Sequence, residues 1–464
     1  MSESTSRALR GGARAITGVL IIGVAATTAV LVGAADLPEV VRGPVSVPAE
    51  TRQVGDRNFV CSGAFAELGA NPSRPGDAVP EGATSLLVAG KSESRTELRV
   101  EIEGGTAPEV VRAPVGEPFA AAQTQRVRTS NLEGLTALSC AQPVNQQWLV
   151  GGTTTVGATA TINLGNPGEK PATVELTVFD EDGQVDAAQT SGVLVPAGSE
   201  RIVSLNGYAP DRERLAVRVT STGATVTASM EVGQVDGLQS FSVDTVTRQL
   251  EPAQRLVVPG VASLAEDEHG PGDVGQAHGS PIAVRALSAN GAPGTVTARA
   301  MMGDGTSLEL GTFELSGTAV GELTVNEWPE KANAVVLDAD VPIVGGVMGA
   351  ALGERIADGA WFSPAPELPA DAEIAAAVAP GGRLILANPG DSEARVTVSG
   401  SGEATQRYRV PAGAAVAVQA GADSRILSDA PIHAGVSMVA GGALAGYPVL
   451  AEIDRSGSLT VFPR

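Results

Sequence analysis

Lysine occurs only at positions 91, 170 and 331, histidine three times and cysteine twice, and aromatic residues make up 3% of 464 residues. Each scarcity narrows the chemistry. Three histidines leave little imidazole for general-base or metal work. Neither Cys61 nor Cys140 has a histidine or a second cysteine at zinc-ligand spacing. Basic residues number 31 against 52 acidic ones, a formal net charge of −21. Such a surface repels nucleic acid and anionic lipid head groups, so nucleic acid is excluded as a partner. The familiar catalytic motifs are also missing: no Gly-x-Ser-x-Gly elbow, no phosphate-binding loop and no His-Glu-x-x-His. No residue pattern calls for a cofactor or a metal ion.

What is abundant is glycine, at 57, and proline, at 30, among many Val, Ala and Thr residues. That composition suits short strands joined by turns, an all-β fold. The chain also repeats itself. Ile162-Asn163-Leu164-Gly165-Asn166-Pro167-Gly168 is matched by Leu384-Ile385-Leu386-Ala387-Asn388-Pro389-Gly390. A Val- and Ala-rich strand follows each, then Val195-Pro196-Ala197-Gly198 in one and Val410-Pro411-Ala412-Gly413 in the other. A third copy between them has Asn290-Gly291-Ala292-Pro293 in place of the Asn-Pro-Gly turn. Fixed-period self-similarity marks tandem structural units.

Ile16 to Ala35 is free of charge, long enough for a helix to span a bilayer core of about 30 Å. Arg7, Arg10 and Arg14 precede it, which keeps residues 1–15 in the cytoplasm and sends the remainder across. An uncleaved single-pass anchor at 16–35 is expected, with cleavage after Ala35 as the alternative. Residues 36–56, containing Pro38, Pro44 and Pro48, read as a stalk. The uncharged stretch from Ala430 to Ala451 carries too many Gly and Pro residues for a second span and reads as two buried strands. Outside a membrane, Cys61 and Cys140 point to a disulfide, with two buried free thiols as the alternative.

Turn and strand spacing divides the exterior into a disulfide-containing β-domain at 57–145 and repeats at 146–252, 253–360 and 361–464. The repeats open at Trp148, Leu256 and Trp361. Units of this size with seven or so alternating strands suit tandem immunoglobulin-like β-sandwiches. A rival arrangement is a β-propeller closed by the C-terminal strand, because Leu459 to Pro463 resembles the opening strands.

The strand at Trp148-Leu149-Val150-Gly151-Gly152, the strand running into Asn166-Pro167-Gly168, the Ala-Thr-Val strand and the turn at Gly183 resemble a repeat of actinobacterial envelope proteins. The resemblance covers roughly residues 140–464 and is clearest at 148–232. It implies one N-terminal membrane segment and an extracytoplasmic β-rich region, in a family mostly without an assigned function. It supplies no catalytic residue.

The remaining polar candidates have structural readings. His433 falls on a strand; His269 and His278 lie in an acidic Gly- and Pro-containing loop; Asp180-Glu181-Asp182-Gly183 lacks the length and flanking helices of a calcium loop. Trp148 and Trp361 suggest packing between repeats, whereas Trp328, in the turn Asn326-Glu327-Trp328-Pro329, is a candidate exposed contact. The expectation is a membrane-anchored, extracytoplasmic, non-catalytic structural or binding protein of the bacterial cell envelope. Its partner would be a wall polysaccharide or an envelope protein. The alternative is a wall-glycan hydrolase using carboxylates from separate repeats.

Overall fold

The computed structural model describes residues 47–52, 57–71, 73–129, 131–186, 192–237, 239–265, 282–352, 357–401, 404–453 and 456–461. Every regular element among them is a strand, and none of the described residues forms a helix long and apolar enough to cross a membrane. The anchor expected at 16–35, the flanking segment 1–15, most of the stalk, and His269 and His278 lie outside the described residues. The chain divides into two bodies, Met1–Gln53 with Asp454–Arg464, and Val54–Ile453. In the smaller body β1 (Val47–Arg52), within the expected stalk, pairs antiparallel with the C-terminal strand Ser456–Val461.

The larger body is four units built on one plan. The first comprises β2 (Arg57–Cys61), β3 (Ala66–Leu68), β4 (Ala78–Pro80), β5 (Ser85–Ala89), β6 (Ser94–Glu97), β7 (Glu109–Ala113), β8 (Ala120–Arg128) and β9 (Glu133–Ser139). The second comprises β10 (Gln146–Val150), β11 (Ala158–Asn166), β12 (Ala172–Phe179), β13 (Val193–Val195), β14 (Ser199–Ser204), β15 (Ala216–Thr222), β16 (Thr227–Asp236) and β17 (Gln239–Val246). Its two sheets run β10-β15-β12-β13 and β14-β11-β16-β17.

The third unit comprises β18 (Ala253–Pro259), β19 (Ser263–Ala265), β20 (Ile282–Ser288), β21 (Gly294–Met302), β22 (Ser307–Leu315), β23 (Gly321–Val325), β24 (Ala332–Leu352) and β25 (Ala357–Phe362). The fourth comprises β26 (Glu373–Ala376), β27 (Arg383–Ala387), β28 (Ala394–Gly400), β29 (Gln406–Val410), β30 (Ala415–Val418), β31 (Ser424–Ser428), β32 (His433–Ala440) and β33 (Ala443–Pro448). Its sheets, β26-β31-β28-β29 and β30-β27-β32-β33, repeat the order of the second unit strand for strand.

The third unit keeps that order with one fusion. The 21-residue β24 pairs with β18 and β21 through its first half and with β20 and β25 through its second, so two sheets merge into one. The first unit is a reduced copy, with sheets β2-β7-β6 and β5-β8-β9, two strands fewer and the hairpin β3–β4 added. None of these sheets is the up-and-down meander of a propeller blade, because each interleaves strands distant in sequence. Trp361 and Phe362 end β25, which pairs with β24. The segment expected to open the last repeat is therefore hydrogen-bonded into the unit before it, and β26 takes the opening role.

The second and fourth units each bury a core between two sheets, and the third buries one within its merged sheet. In the second it is built from Leu149, Ile162, Leu164, Leu176, Val217 and Met230, all fully buried. Burying each large apolar side chain contributes roughly 1.5–3 kcal/mol. The outer faces are covered as well. Trp148, Phe179 and Ala216 of the second unit pack on Leu287 and Val344 of the third. Val257, Met301 and Val336 of the third pack on Ile385 and Ala415 of the fourth. Ala89, Ala122 and Ala137 of the first cluster with Ile374 and Ala376 of the fourth. Val60 and Leu98 of the first lie over Gly165 of the second, where a Cβ would come within 2.9 Å of Val60. The circuit thus closes, and the last strand of each unit, β9, β17, β25 and β33, meets its counterparts at the centre.

Candidate functional site

The repeated motifs meet in space. Asn166 is fully buried; its Nδ2 donates to the Lys170 carbonyl at 2.8 Å and the Val195 carbonyl at 3.1 Å, and its Oδ1 accepts from Gly168 N–H at 3.0 Å. Asn388 does the same, donating to Ser392 at 2.7 Å, Val410 at 3.0 Å and Pro411 at 3.1 Å, and accepting from Gly390 N–H at 3.1 Å. Gly198 and Gly413 close the partner turns at φ +60 and +68, a left-handed backbone that favours glycine. Their N–H groups donate to the Gly168 and Gly390 carbonyls at 3.0 and 3.3 Å. The Asn-Pro-Gly and Val-Pro-Ala-Gly signatures are the two halves of a clasp between strands. In the third unit Ser288 stands at the asparagine position and its Oγ bonds Asn290 Oδ1 at 2.9 Å, so the amide is displaced two residues along the turn.

Other sequence candidates also have structural places. Cys61 and Cys140 are joined in a disulfide with Cα atoms 4.5 Å apart, tying the start of the first unit to its end. Asp180 is buried; its Oδ1 accepts from Asp182 and Gly183 N–H, both at 2.9 Å, and its Oδ2 lies 3.1 Å from Arg212. The acidic turn is spent on its own backbone, on Arg212 and, through Glu181, on the N–H groups of Glu213 and Arg214. His433 Nδ1 lies 2.9 Å from the Ala365 carbonyl, and burial draws its pKa down. Trp148 stacks on Phe179 with centroids 5.9 Å apart. Trp361 is buried among side chains of the second unit's core although it belongs to the third. Trp328 is half-buried and packs against the third unit's core.

No motif marks the buried carboxylates at the unit junctions. Asp358, on β25, accepts from Leu135 N–H of the first unit at 3.2 Å, Val243 N–H of the second at 3.2 Å and Leu444 N–H of the fourth at 3.0 Å. One side chain holds all four units. Asp244, fully buried beside it, accepts from Trp361 N–H at 2.6 Å. Burial pushes Asp358 up to about 7, against the pull of its donors, and raises Asp244 as well, with the charge of Asp358 adding to the effect. Where the first unit meets the second, Glu231 accepts from Ala66 N–H at 2.9 Å and Asn163 Nδ2 at 3.0 Å. Burial raises Glu231 to about 7, and raises Glu200 through burial and then the Glu231 charge. These partners lie up to 223 residues apart in the chain, so no local pattern announces them.

Two concave features open beside these junctions. A cleft of about 310 Å³ between the second and third units is lined by Thr153, Thr155, Gln234, Phe241, Met348 and Arg285. Arg285 is committed there: Nε reaches Glu322 at 2.6 Å, its two terminal nitrogens bond the Gly152 and Glu213 carbonyls, and its guanidinium lies 4.6 Å from the Trp361 ring centre. A larger groove, about 1000 Å³, runs between the first and second units and is lined by Leu68, Arg74, Ile102, Leu194, Ile202 and Tyr208 among others. Among the described residues no group of three or more His, Cys, Asp or Glu side chains is placed to hold a metal ion.

No curated protein matches the chain. Among solved structures, the BSP domain of a biofilm associated protein aligns over 88% of this chain and 92% of its own at 10% identity, with a TM-score of 0.14. A family model described as a family of unknown function, DUF5719, matches residues 102–421, from within the first unit well into the fourth. That match spans more than half of the chain, and the protein belongs to the DUF5719 family.

Proposed function

We propose that this is a non-catalytic binding or scaffolding protein of the bacterial cell envelope. It is held at the membrane by residues 16–35, with the bulk of the chain outside, and presents its β-units to a wall polymer or an envelope protein. The units fit the broad immunoglobulin-like description of paired antiparallel sheets, but relative to the standard order the first and seventh strands exchange sheets, the fourth pairs with the third, and an eighth strand is added. One observation carries the reading. The buried polar groups at the junctions are spent on holding units together, Asp358 on three backbone N–H groups and Arg285 on two carbonyls and Glu322, while the concave surfaces left open are broad and built from strand edges. A frame of this kind positions a surface. The uncharged N-terminal stretch, its arginine flank and the likeness to actinobacterial envelope repeats support the location.

Glu200 favours the hydrolase reading, because a carboxyl kept protonated by burial and lining the large groove is what a general acid requires. Its neighbour Glu231 comes from the same repeat and is bonded to Ala66 and Asn163. Incubation of the protein with isolated cell wall separates the two. Retention on the wall or on one envelope protein, without release of soluble fragments, supports the binding reading. Release of sugar that stops with Glu200→Gln would establish the hydrolase.

A further inference from the structure

We propose that the open edge of β14, in the groove between the first and second units, is a docking site for an extended polypeptide segment that adds as a further strand. This deepens the binding reading above and rests on it. β14 is the outermost strand of its sheet, paired on one side with β11. Alternate residues of a strand turn their backbone groups to opposite edges. Glu200 N–H points outward, donating to the Arg99 carbonyl at 2.8 Å, while Arg99 N–H donates to the Gly198 carbonyl at 3.1 Å. That is one rung of parallel pairing, contributed by the first unit. By the same alternation the C=O of Glu200, both backbone groups of Ile202 and the N–H of Ser204 face the same edge. No described residue bonds them. Ser204 Oγ, at the groove wall, is buried and has no hydrogen-bond partner.

The corresponding edge in the fourth unit is met by its neighbour, where Asn333 Nδ2 of the third unit donates to the Ala415 carbonyl of β30 at 2.9 Å. In the second unit that cover stops at Arg99. Beyond it no described residue pairs with the β14 backbone, and the Glu101 side chain lies 3.2 Å from Arg201. The exposed row of alternating donors and acceptors matches another strand, and a glycan has no such row. The flanking side chains suit a peptide with apolar residues at alternate positions. Leu68 and Ile102 line the groove half-exposed, Leu194 is 54% exposed, and the rim charges Arg74–Asp77 and Arg201–Glu101 are already paired. Five residues of open edge, Glu200–Ser204, correspond to a segment about 17 Å long.

The test is selection of nine-residue peptides from a random display library on the full-length chain, followed by titration of the enriched sequences. Peptides with alternating apolar residues should emerge and bind in the groove. N-methylation of their alternate amide nitrogens should weaken binding at least about tenfold, because it removes edge pairing without changing side chains. Ile202→Pro, which removes an outward N–H at an edge where proline is tolerated, and Leu68→Asp on the facing wall should each weaken it by a similar factor. Arg407→Ala, on the exposed strand β29, should leave it unchanged. No enriched peptide, binding indifferent to N-methylation and to Leu68→Asp, or competition by soluble wall glycan in place of peptide would overturn the proposal. Peptide capture without retention on wall or envelope protein would leave this site standing and remove the envelope reading, and the reverse result would do the opposite.

Discussion

At the residue scale, two side chains carry weight out of proportion to their visibility. Asn388 is 1% exposed and donates to three carbonyls. Asn388→Ala should cost about 3 kcal/mol, since buried carbonyls are left without a donor, and urea titration of the variant against the parent measures it. Asp358 predicts an unusual pH dependence. An unfolded aspartate releases its proton near pH 4, whereas the folded one keeps it to about 7. Between those values the folded state holds a proton that the unfolded state has lost, so stability falls as pH rises through the window and levels off above it. The effect is on the order of 4 kcal/mol per group, and Glu231 acts in the same direction. Melting temperature should therefore be higher at pH 5 than at pH 8, and Asp358→Asn should flatten the profile. A melting temperature that climbs from pH 5 to 8 would contradict the protonated junction.

At the element scale, how much could be read beforehand depended on distance along the chain. The clasp turns of the second and fourth units announce themselves because Asn-Pro-Gly and Val-Pro-Ala-Gly are local patterns with fixed backbone requirements. The third unit hides its kinship, since Ser288 and Asn290 divide the work of one asparagine and β24 runs two strands into one. The first unit carries neither signature, lacks two strands and has the β3–β4 hairpin inserted, so its common plan emerges only from strand order. Trp361 misled for a physical reason. A tryptophan in an apolar strand looks alike whether it opens a unit or ends one, and only its pairing with Met348 on β24 decides. Because it fills the neighbouring unit's core, Trp361→Ala should cost about 3–5 kcal/mol and loosen the junction of the second and third units. Faster amide exchange on β17 and β25 would report it.

On the scale of the whole molecule, the disulfide and the closed circuit make the same argument. Cys61 and Cys140 are 79 residues apart, and closing a loop of that length stabilises by roughly 4–5 kcal/mol in the chain-entropy model. Reduction, or the paired change Cys61→Ala and Cys140→Ala, should lower the melting temperature, and the first unit should detach first. The junction acids, invisible in the sequence because their partners are 68 to 223 residues away, make the units depend on one another as well as on their own cores. Calorimetry of the intact protein beside the excised third unit, residues 253–362, tests that dependence most directly. The larger body should melt in one cooperative transition. The excised unit should be unfolded or only marginally stable, because its outer faces lose Trp148, Phe179 and Ile385 as neighbours and Asp358 loses its three donors from the other units. A third unit that melts alone at the temperature of the whole, with separate transitions in the intact chain, would contradict it.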